Sequence, residues 1–233
     1  MDPDRAPVLV FANGMLDDVG WVKPWLARAT AVVAADGGLR HLAILGRRPD
    51  VLIGDLDSLP DGVIVTEAAG TVIRHPRDKN ETDLELALLY ATERYPNHEV
   101  VILGGFGGRL DHMLANILLL AHPRLLGRSI RFVHERESAW LVSAAPPGET
   151  RIDGHPGDIV SLLPLGGDAL VATTTGLRWP LHDERLAFGP ARGVSNEMTG
   201  PIATVRLREG MVVCVHVEQQ AAKDVPSFAI AGR

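Results

Sequence analysis

Apolar residues in the first 134 positions fall into short runs that are separated by segments with helical spacing. The helical segments repeat apolar residues at i, i+3, i+4 and i+7, most clearly at Leu84, Ala87, Leu88 and Ala91. The short runs show no polar alternation, and they occupy residues 8–11, 31–34, 51–53, 71–73, 100–103 and 130–133. Such strands, alternating with helices, are typical of a parallel sheet covered on both faces. The pattern predicts an N-terminal α/β domain with a doubly wound, mostly parallel sheet over residues 1–134.

The pattern changes near residue 135. Turn signals recur there at short intervals, and β-rich runs such as residues 158–162, 169–173 and 204–207 lie between them without a helical period. We therefore predict a C-terminal antiparallel β-sandwich over residues 135–220. The polar, small-residue-rich segment over residues 221–233 is predicted to be a flexible tail.

Composition and charge narrow the possible partners. The chain is 46% hydrophobic and 22% charged, as in an ordinary globular protein, and its net charge of -6 argues against nucleic-acid binding. A single cysteine, Cys214, excludes an internal disulfide and fits a reducing compartment. No signal peptide is evident, and no apolar run approaches the roughly 18 residues of a membrane span. We expect a cytoplasmic protein without nucleic-acid or membrane partners.

Carboxylates gather where the predicted strands end. Asp36 follows the second strand, Asp55 and Asp57 follow the third, and Asp83 and Asp111 open two helices. Ligands of open α/β sheets bind beyond the carboxyl ends of the strands, and oxygen ligands suit Mg²⁺ holding a phosphate chain. For each carboxylate taken singly, a capping role in a turn or helix is the alternative.

A glycine-rich segment, residues 104–109, joins the fifth strand to the next helix. Its glycines would let backbone amides approach phosphate oxygens, and Arg109 offers a planar set of donors at the helix start. The segment is neither a dinucleotide fingerprint nor a P-loop, since Leu110 replaces the third glycine and no Gly-Lys-Ser/Thr follows. A purely structural turn remains an alternative explanation.

Two further side chains are candidates for phosphate binding. Lys79 precedes the third helix, where an exposed lysine without a ligand is the alternative, and His112 either binds phosphate or donates at the helix start. No Ser–His–Asp order or nucleophile elbow stands out, which suits direct transfer without a covalent intermediate on the protein.

Six segments carry a resemblance to a known family. They are ADGG at 35–38, GDLDS at 54–58, DKNETD at 78–83, GGFGGRLDH at 104–112, TTGLRWPL at 174–181 and GVSNE at 193–197. In this order they resemble the thiamine pyrophosphokinase family. Trp179 departs from the tyrosine that many bacterial members carry, and the segment beyond residue 218 matches no family feature.

The resemblance implies an enzyme that transfers the pyrophosphoryl group of ATP to the hydroxyl of thiamine, giving thiamine diphosphate and AMP. It implies Mg²⁺ as cofactor, and a homodimer whose active site lies at the subunit interface. Asp55, Asp57 and Asp83 would hold Mg²⁺, and Asp36 and Asp111 would orient metal, water or substrate. The implied phosphate contacts are Lys79, Thr82, Gly105, Gly107, Arg109 and His112. The implied thiamine contacts are Trp179, Ser195 and Asn196, although Trp179 has the alternative role of a core or interface residue.

Two rival functions remain open from the sequence. Asp-x-Asp-Ser at 55–58 resembles an aspartyl-nucleophile motif and would suit a Mg²⁺-dependent phosphohydrolase. That function leaves the segments at 174–181 and 193–197 without a role. A non-catalytic nucleotide sensor would bind ATP without producing AMP when thiamine is added.

Overall fold

The structure, a computed structural model, describes residues 6–57 and 69–219. Ser58 and the predicted tail over residues 221–233 lie outside the described residues. The described helices are α1 (Lys23–Arg28), α2 (Leu39–Ile44), α3 (Asp83–Arg94) and α4 (Leu110–Leu118). The described strands are β1 (Val8–Phe11), β2 (Ala31–Ala35), β3 (Val51–Gly54), β4 (Thr71–Arg74), β5 (Val100–Leu103), β6 (Ile130–His134), β7 (Glu137–Ser143), β8 (Glu149–Asp153), β9 (Ile159–Pro164), β10 (Ala169–Thr175), β11 (His182–Leu186), β12 (Asn196–Glu197), β13 (Ile202–Glu209) and β14 (Met211–Val217).

Six strands form a parallel sheet in the order β6-β5-β1-β2-β3-β4. Every residue of β1, β2, β3 and β5 is buried, which explains why these strands carry no polar alternation. The chain adds β2, β3 and β4 on one side of β1 and then returns to place β5 on the other side. Polar loops after β1, β2, β3 and β5 consequently meet at one edge of the sheet.

Helix α3 fixes the position of one predicted site residue. Thr82 caps the helix, since its Oγ1 accepts a hydrogen bond from the Glu85 amide at 3.1 Å. The predicted apolar face of Leu84, Ala87, Leu88 and Ala91 is buried, and the helix packs on β1, β2, β3 and β5. Asp83, the first helical residue, therefore lies at the carboxyl edge of the sheet.

Only half of the eight described strands after β6 form a separate sheet. β6 pairs antiparallel with β7, so that the large sheet continues in the order β6-β7-β14-β9-β12. A second, antiparallel sheet with the order β11-β10-β13-β8 shares a buried core with this extension. The predicted fold class, a mostly parallel α/β sheet plus an antiparallel β-sandwich, is confirmed. The boundary at residue 135 stays a prediction, since hydrogen bonding between strands continues across it. Over residues 6–57 and 69–219, no helix has the length and apolar character to cross a membrane.

A buried carboxylate joins three parts of the β-sandwich. Asp158 is almost fully buried, and it accepts hydrogen bonds from the His155 amide (2.8 Å), the Gln219 amide (2.9 Å) and His216 Nε2 (3.0 Å). Burial acts to raise the pKa of Asp158, but these hydrogen bonds outweigh it and hold the pKa below its usual value. The Asp158 network thereby ties the chain beyond β14 to the β8–β9 turn.

Replacing this carboxylate should destabilise the protein. We expect Asp158→Asn to lower the free energy of unfolding by about 3 kcal/mol, because it leaves buried donors without an anionic partner. A carboxylate whose pKa is lower in the folded state stabilises the fold above about pH 4, and this contribution is lost as the pH falls further. Chemical denaturation at pH 7 and pH 3 measures both effects, and the difference between the two proteins should narrow in acid.

Asp153→Asn is the matched control. Asp153 pairs with Arg151 at 2.7 Å, but both side chains are more than half exposed, so that the change should cost less than about 1 kcal/mol. Equal losses for Asp153→Asn and Asp158→Asn at pH 7 would contradict the role assigned to burial.

Candidate active site

A cavity of about 640 Å³ lies where the carboxyl ends of the parallel strands meet. Its walls are the loops after β1, β2, β3 and β5 and the first turns of α3 and α4. The sequence-predicted residues in its lining are Asp36, Asp57, Thr82, Asp83, Gly105, Gly107, Arg109 and His112. Asp55, Lys79 and Asp111 join the site through ion pairs or carboxylate contacts with these lining residues.

Three carboxylates come together at the ends of β2 and β3. Asp36, Asp55 and Asp57 each offer an oxygen atom within 4.8 Å of the others. Asp36 is buried, and its Oδ1 accepts no hydrogen bond from any described residue. A Cβ atom at Gly54 would stand 2.9 Å from Asp36 Cβ, so that glycine is needed for this close approach. The cluster contains Asp36, whereas the sequence placed Asp83 beside Asp55 and Asp57.

Asp83 is joined to the cluster through a lysine. Lys79 Nζ lies 3.0 Å from Asp83 Oδ1 and 3.7 Å from Asp55 Oδ2, and its side chain is only 11% exposed. Burial acts to lower the pKa of Lys79, but the hydrogen bond with Asp83 and the charges of Asp83, Asp55 and Asp36 hold it above its usual value. Burial raises the pKa of Asp83, against the opposing effect of Lys79. Lys79 is thus a charged bridge, not an isolated surface lysine.

The loop after β3 is shaped by its own hydrogen bond. The Asp57 amide donates to Asp55 Oδ1 at 3.1 Å, and this bond is the largest cause of the lowered pKa of Asp55. Leu56 between them adopts a left-handed φ of 67°, so the chain turns here and does not continue as an extended strand. Arg77 Nε lies 3.4 Å from Asp57 Oδ2 on the exposed side.

Asp111 lies apart from the acidic cluster. Its carboxylate takes two contacts from Arg109, including Nε to Oδ1 at 3.0 Å, and both side chains are largely exposed. The hydrogen bond with Arg109 lowers the pKa of Asp111 to about 2. Its predicted role in orienting metal, water or substrate stays a prediction.

The glycine-rich loop is packed as tightly as its composition indicates. A Cβ at Gly105 would lie 2.5 Å from the Phe132 ring, and one at Gly107, where φ is 80°, would lie 2.6 Å from Met15 Cβ. Asn116 Nδ2 donates to the Gly105 carbonyl at 2.8 Å. The glycines therefore fit the loop between β6 and the turn after β1, and the loop lines the cavity in that position.

The sequence did not single out the turn after β1. Asn13, Gly14 and Met15 line the cavity beside the glycine-rich loop, and Arg40 and Asn116 also line it. The Gly14 amide donates to the Gly104 carbonyl at 2.7 Å, and the Met15 amide donates to the Phe106 carbonyl at 2.8 Å. An Asn-Gly pair one residue beyond a buried strand was the available signal.

Comparison with known proteins gives a consistent family. The family model described as "Thiamin pyrophosphokinase, catalytic domain" matches residues 22–132, and "Thiamin pyrophosphokinase, vitamin B1 binding domain" matches residues 149–212. The chain belongs to the thiamin pyrophosphokinase family. The resemblance seen in the sequence, and with it the enzyme class, is confirmed.

Individual relatives cover most of the chain. Thiamine pyrophosphokinase from Bacillus subtilis (strain 168) is 29% identical over 189 residues, which are 80% of this chain and 86% of that protein. The crystal structure of thiamine pyrophosphokinase from Bacillus subtilis aligns with a TM-score of 0.80 at 25% identity, and covers 92% of this chain and 100% of its own. A thiamin pyrophosphokinase family protein from Enterococcus faecalis aligns with a TM-score of 0.79 at 27% identity and the same coverage.

Three site residues predicted from the family lie in the β-sandwich, outside the cavity lining. Trp179 is 54% exposed, and the Arg178 guanidinium stacks 4.9 Å from its ring. Asn196 is buried, and its side chain donates to the Trp179 carbonyl (2.6 Å) and accepts from the Trp179 and Glu197 amides (3.1 and 2.9 Å). Ser195 has a left-handed φ of 60°. Asn196 therefore holds the backbone of Trp179, a role that the sequence did not predict.

The packing of the β1 turn against the glycine-rich loop yields a stability prediction. A Cβ at Gly14 would stand 2.2 Å from the Phe106 carbonyl oxygen and 2.4 Å from the Gly104 carbonyl oxygen. We expect Gly14→Ala to lower the free energy of unfolding by about 2 kcal/mol, because the backbone of the glycine-rich loop or of the β1 turn must move. Chemical denaturation measures the change. Gly200→Ala, where a Cβ meets nothing within 4 Å, is the control, and equal midpoints for the two variants would contradict the packing described.

Proposed function

We propose that this enzyme transfers the pyrophosphoryl group of ATP to the primary hydroxyl of thiamine, giving thiamine diphosphate and AMP. The observation that carries the proposal is the cluster of Asp36, Asp55 and Asp57 at the wall of a cavity that also holds Arg109 and borders Lys79. Clustered carboxylates repel a polyphosphate unless cations intervene. Such a site therefore suits a nucleotide that arrives with a divalent metal ion.

The residues present fit Mg²⁺. The donor set consists of carboxylate oxygens, which this ion prefers, and the buried Asp36 Oδ1 has no hydrogen-bond donor among the described residues. Asp36, Asp55 and Asp57 would hold the ion, and Asp83 would support it from the far side of Lys79. When bound, Mg²⁺ neutralises charge on the phosphate oxygens and helps to align them.

The remaining cavity residues position the phosphate chain. Lys79 and Arg109 supply positive charge, and the amides of the glycine-rich loop supply neutral donors. The thiamine hydroxyl oxygen attacks the β-phosphorus and gives its proton to a carboxylate of the site. The bond from the β-phosphorus to the oxygen shared with the α-phosphorus breaks, and AMP leaves with that oxygen. Transfers of this type depend mainly on alignment and on stabilising the spreading negative charge.

The acceptor site is part of the proposal. Thiamine lies against Trp179, Ser195 and Asn196, and the aromatic face of Trp179 suits a planar or cationic ring. Because these residues lie outside the cavity lining of one chain, the active enzyme is a homodimer in which a β-sandwich faces the cavity of its partner. The lone buried Cys214 fits a cytoplasmic location.

Loss of one cluster carboxylate should abolish activity and leave the fold intact. We expect Asp55→Asn and Asp57→Asn each to lower turnover by about a hundredfold or more, because metal and phosphate charge is no longer balanced. The assay quantifies AMP and thiamine diphosphate together from ATP, Mg²⁺ and thiamine.

Chemical denaturation of the same variants should show that the fold is retained, since each change removes both repulsion within the cluster and attraction to Lys79 or Arg77. Asp153→Asn, on the exposed face of the β-sandwich, serves as the control for activity. Near-normal turnover in both cluster variants would refute the metal assignment.

Removal of the Asn196 side chain should affect one substrate only. We expect Asn196→Ala to raise the KM for thiamine about tenfold, through loss of hydrogen bonds that hold Trp179, and to leave the KM for ATP unchanged. Steady-state kinetics with each substrate varied in turn measures both constants. An unchanged KM for thiamine would show that neither Asn196 nor the placement of Trp179 contributes to acceptor binding.

A further inference from the structure

Arg40 lines the cavity, although no motif in the sequence pointed to it. It lies in α2, the helix that follows the loop carrying Asp36. Its Nη2 donates to the carbonyl oxygens of Asn13 and Gly14, both at 2.9 Å. These two bonds fix the guanidinium against the turn after β1. Lys79 and Arg109 belong to other elements of the site, namely the segment before α3 and the glycine-rich loop.

His41, next to Arg40 in the sequence, also contacts the turn after β1 and is uncharged. His41 is buried, and its Nε2 lies 2.8 Å from the Gly14 carbonyl oxygen, so that the proton resides on this nitrogen. Burial lowers the pKa of His41, and this outweighs the bond to Gly14. Because Nε2 donates to Gly14, the approach of Arg40 Nε to it at 3.5 Å is not a hydrogen bond. The Nε–H of Arg40 points toward His41, whereas the Nη1 group has no partner among residues 6–57 and 69–219 and keeps its donors for a ligand.

Lys79 and Arg109 form ion pairs with carboxylates, whereas Arg40 does not form one with any carboxylate of the described residues. Lys79 is bound between Asp55 and Asp83, and Arg109 is paired with Asp111. The contacts of Arg40 are neutral carbonyl oxygens and a neutral imidazole, and no carboxylate of residues 6–57 or 69–219 forms an ion pair with it. A fixed guanidinium with an unbalanced charge in a cavity is suited to bind an anion.

We propose that Arg40 binds phosphate oxygens of the nucleotide, on the wall of the cavity formed by the β1 turn. The inference rests on the proposed function, since it assigns a ligand to the same cavity. The turn after β1 and Arg40 act together: the carbonyls of Asn13 and Gly14 orient the guanidinium, and the guanidinium presents its remaining donors to the phosphate chain. Arg40 thus contributes binding of the polyphosphate and does not contact thiamine.

Calorimetric titration without thiamine tests the inference directly. The probes are inorganic pyrophosphate with Mg²⁺, which carries only phosphate groups, and adenosine, which carries none. We expect Arg40→Met to weaken pyrophosphate binding about tenfold to a hundredfold, as loss of a charge-assisted hydrogen bond predicts, and to leave adenosine binding unchanged. Arg40→Lys should bind pyrophosphate with intermediate affinity because it keeps a positive charge.

Each alternative outcome overturns the inference. Equal weakening for pyrophosphate and adenosine would show that Arg40 only supports the β1 turn, and equal affinities of Arg40→Met and Arg40→Lys would show that its charge is irrelevant. The inference would also be overturned if Arg40→Met bound pyrophosphate as tightly as the unsubstituted protein, or if the unsubstituted protein did not bind pyrophosphate. Arg94→Met, at the opposite end of α3 from Asp83, is the control for loss of an arginine. Failure of the proposed transferase activity is distinguished separately, by the absence of AMP when thiamine and ATP are supplied.

Discussion

Repulsion among negative charges at one edge of the sheet is the constraint on which the site depends. Asp36, Asp55 and Asp57 offer oxygens within 4.8 Å of one another, a separation at which like charges repel. Lys79 and Arg77 offset part of this charge from outside the cluster. A site built in this way is completed by cations, and this property connects the fold to phosphate chemistry.

The surrounding structure keeps the carboxylates together despite their repulsion. Two fully buried parallel strands, β2 and β3, end side by side and fix the backbone on which the acids are carried. Gly54 leaves space for Asp36, and Asp36 and Leu56 adopt left-handed backbone conformations that ordinary residues seldom occupy. Hydrophobic packing of α3 against the neighbouring strands offsets the free-energy cost of this backbone strain and of the repulsion between the carboxylates. The core therefore supplies the free energy that keeps the site preorganised, and the folded protein is less stable than it would be without the strained site.

The local sequence pattern was sufficient to predict the buried strands and the edge of the sheet where the site lies. Contacts between residues far apart in the sequence could not be predicted in this way. Apolar runs such as residues 100–103 identified buried parallel strands, and the position of Asp36 and Asp55 after strands identified the site edge. Continuation of the sheet through β6 and β7 depends on which distant strands pair, and local spacing does not encode that. Arg40 was missed for a related reason, since its partners at Asn13 and Gly14 are far away in the sequence. Helix position alone did not reveal that Asp111 pairs with Arg109 away from the cluster.

A crystal structure of the protein with Mg²⁺ and a non-hydrolysable ATP analogue would show whether the acidic cluster binds a divalent ion. We predict a Mg²⁺ ion with carboxylate oxygens of Asp55 and Asp57 at about 2.1 Å and with the β- and γ-phosphates on the side of the cavity. An ion bound elsewhere, with both carboxylates distant from any cation and the phosphates outside the cavity, would contradict it.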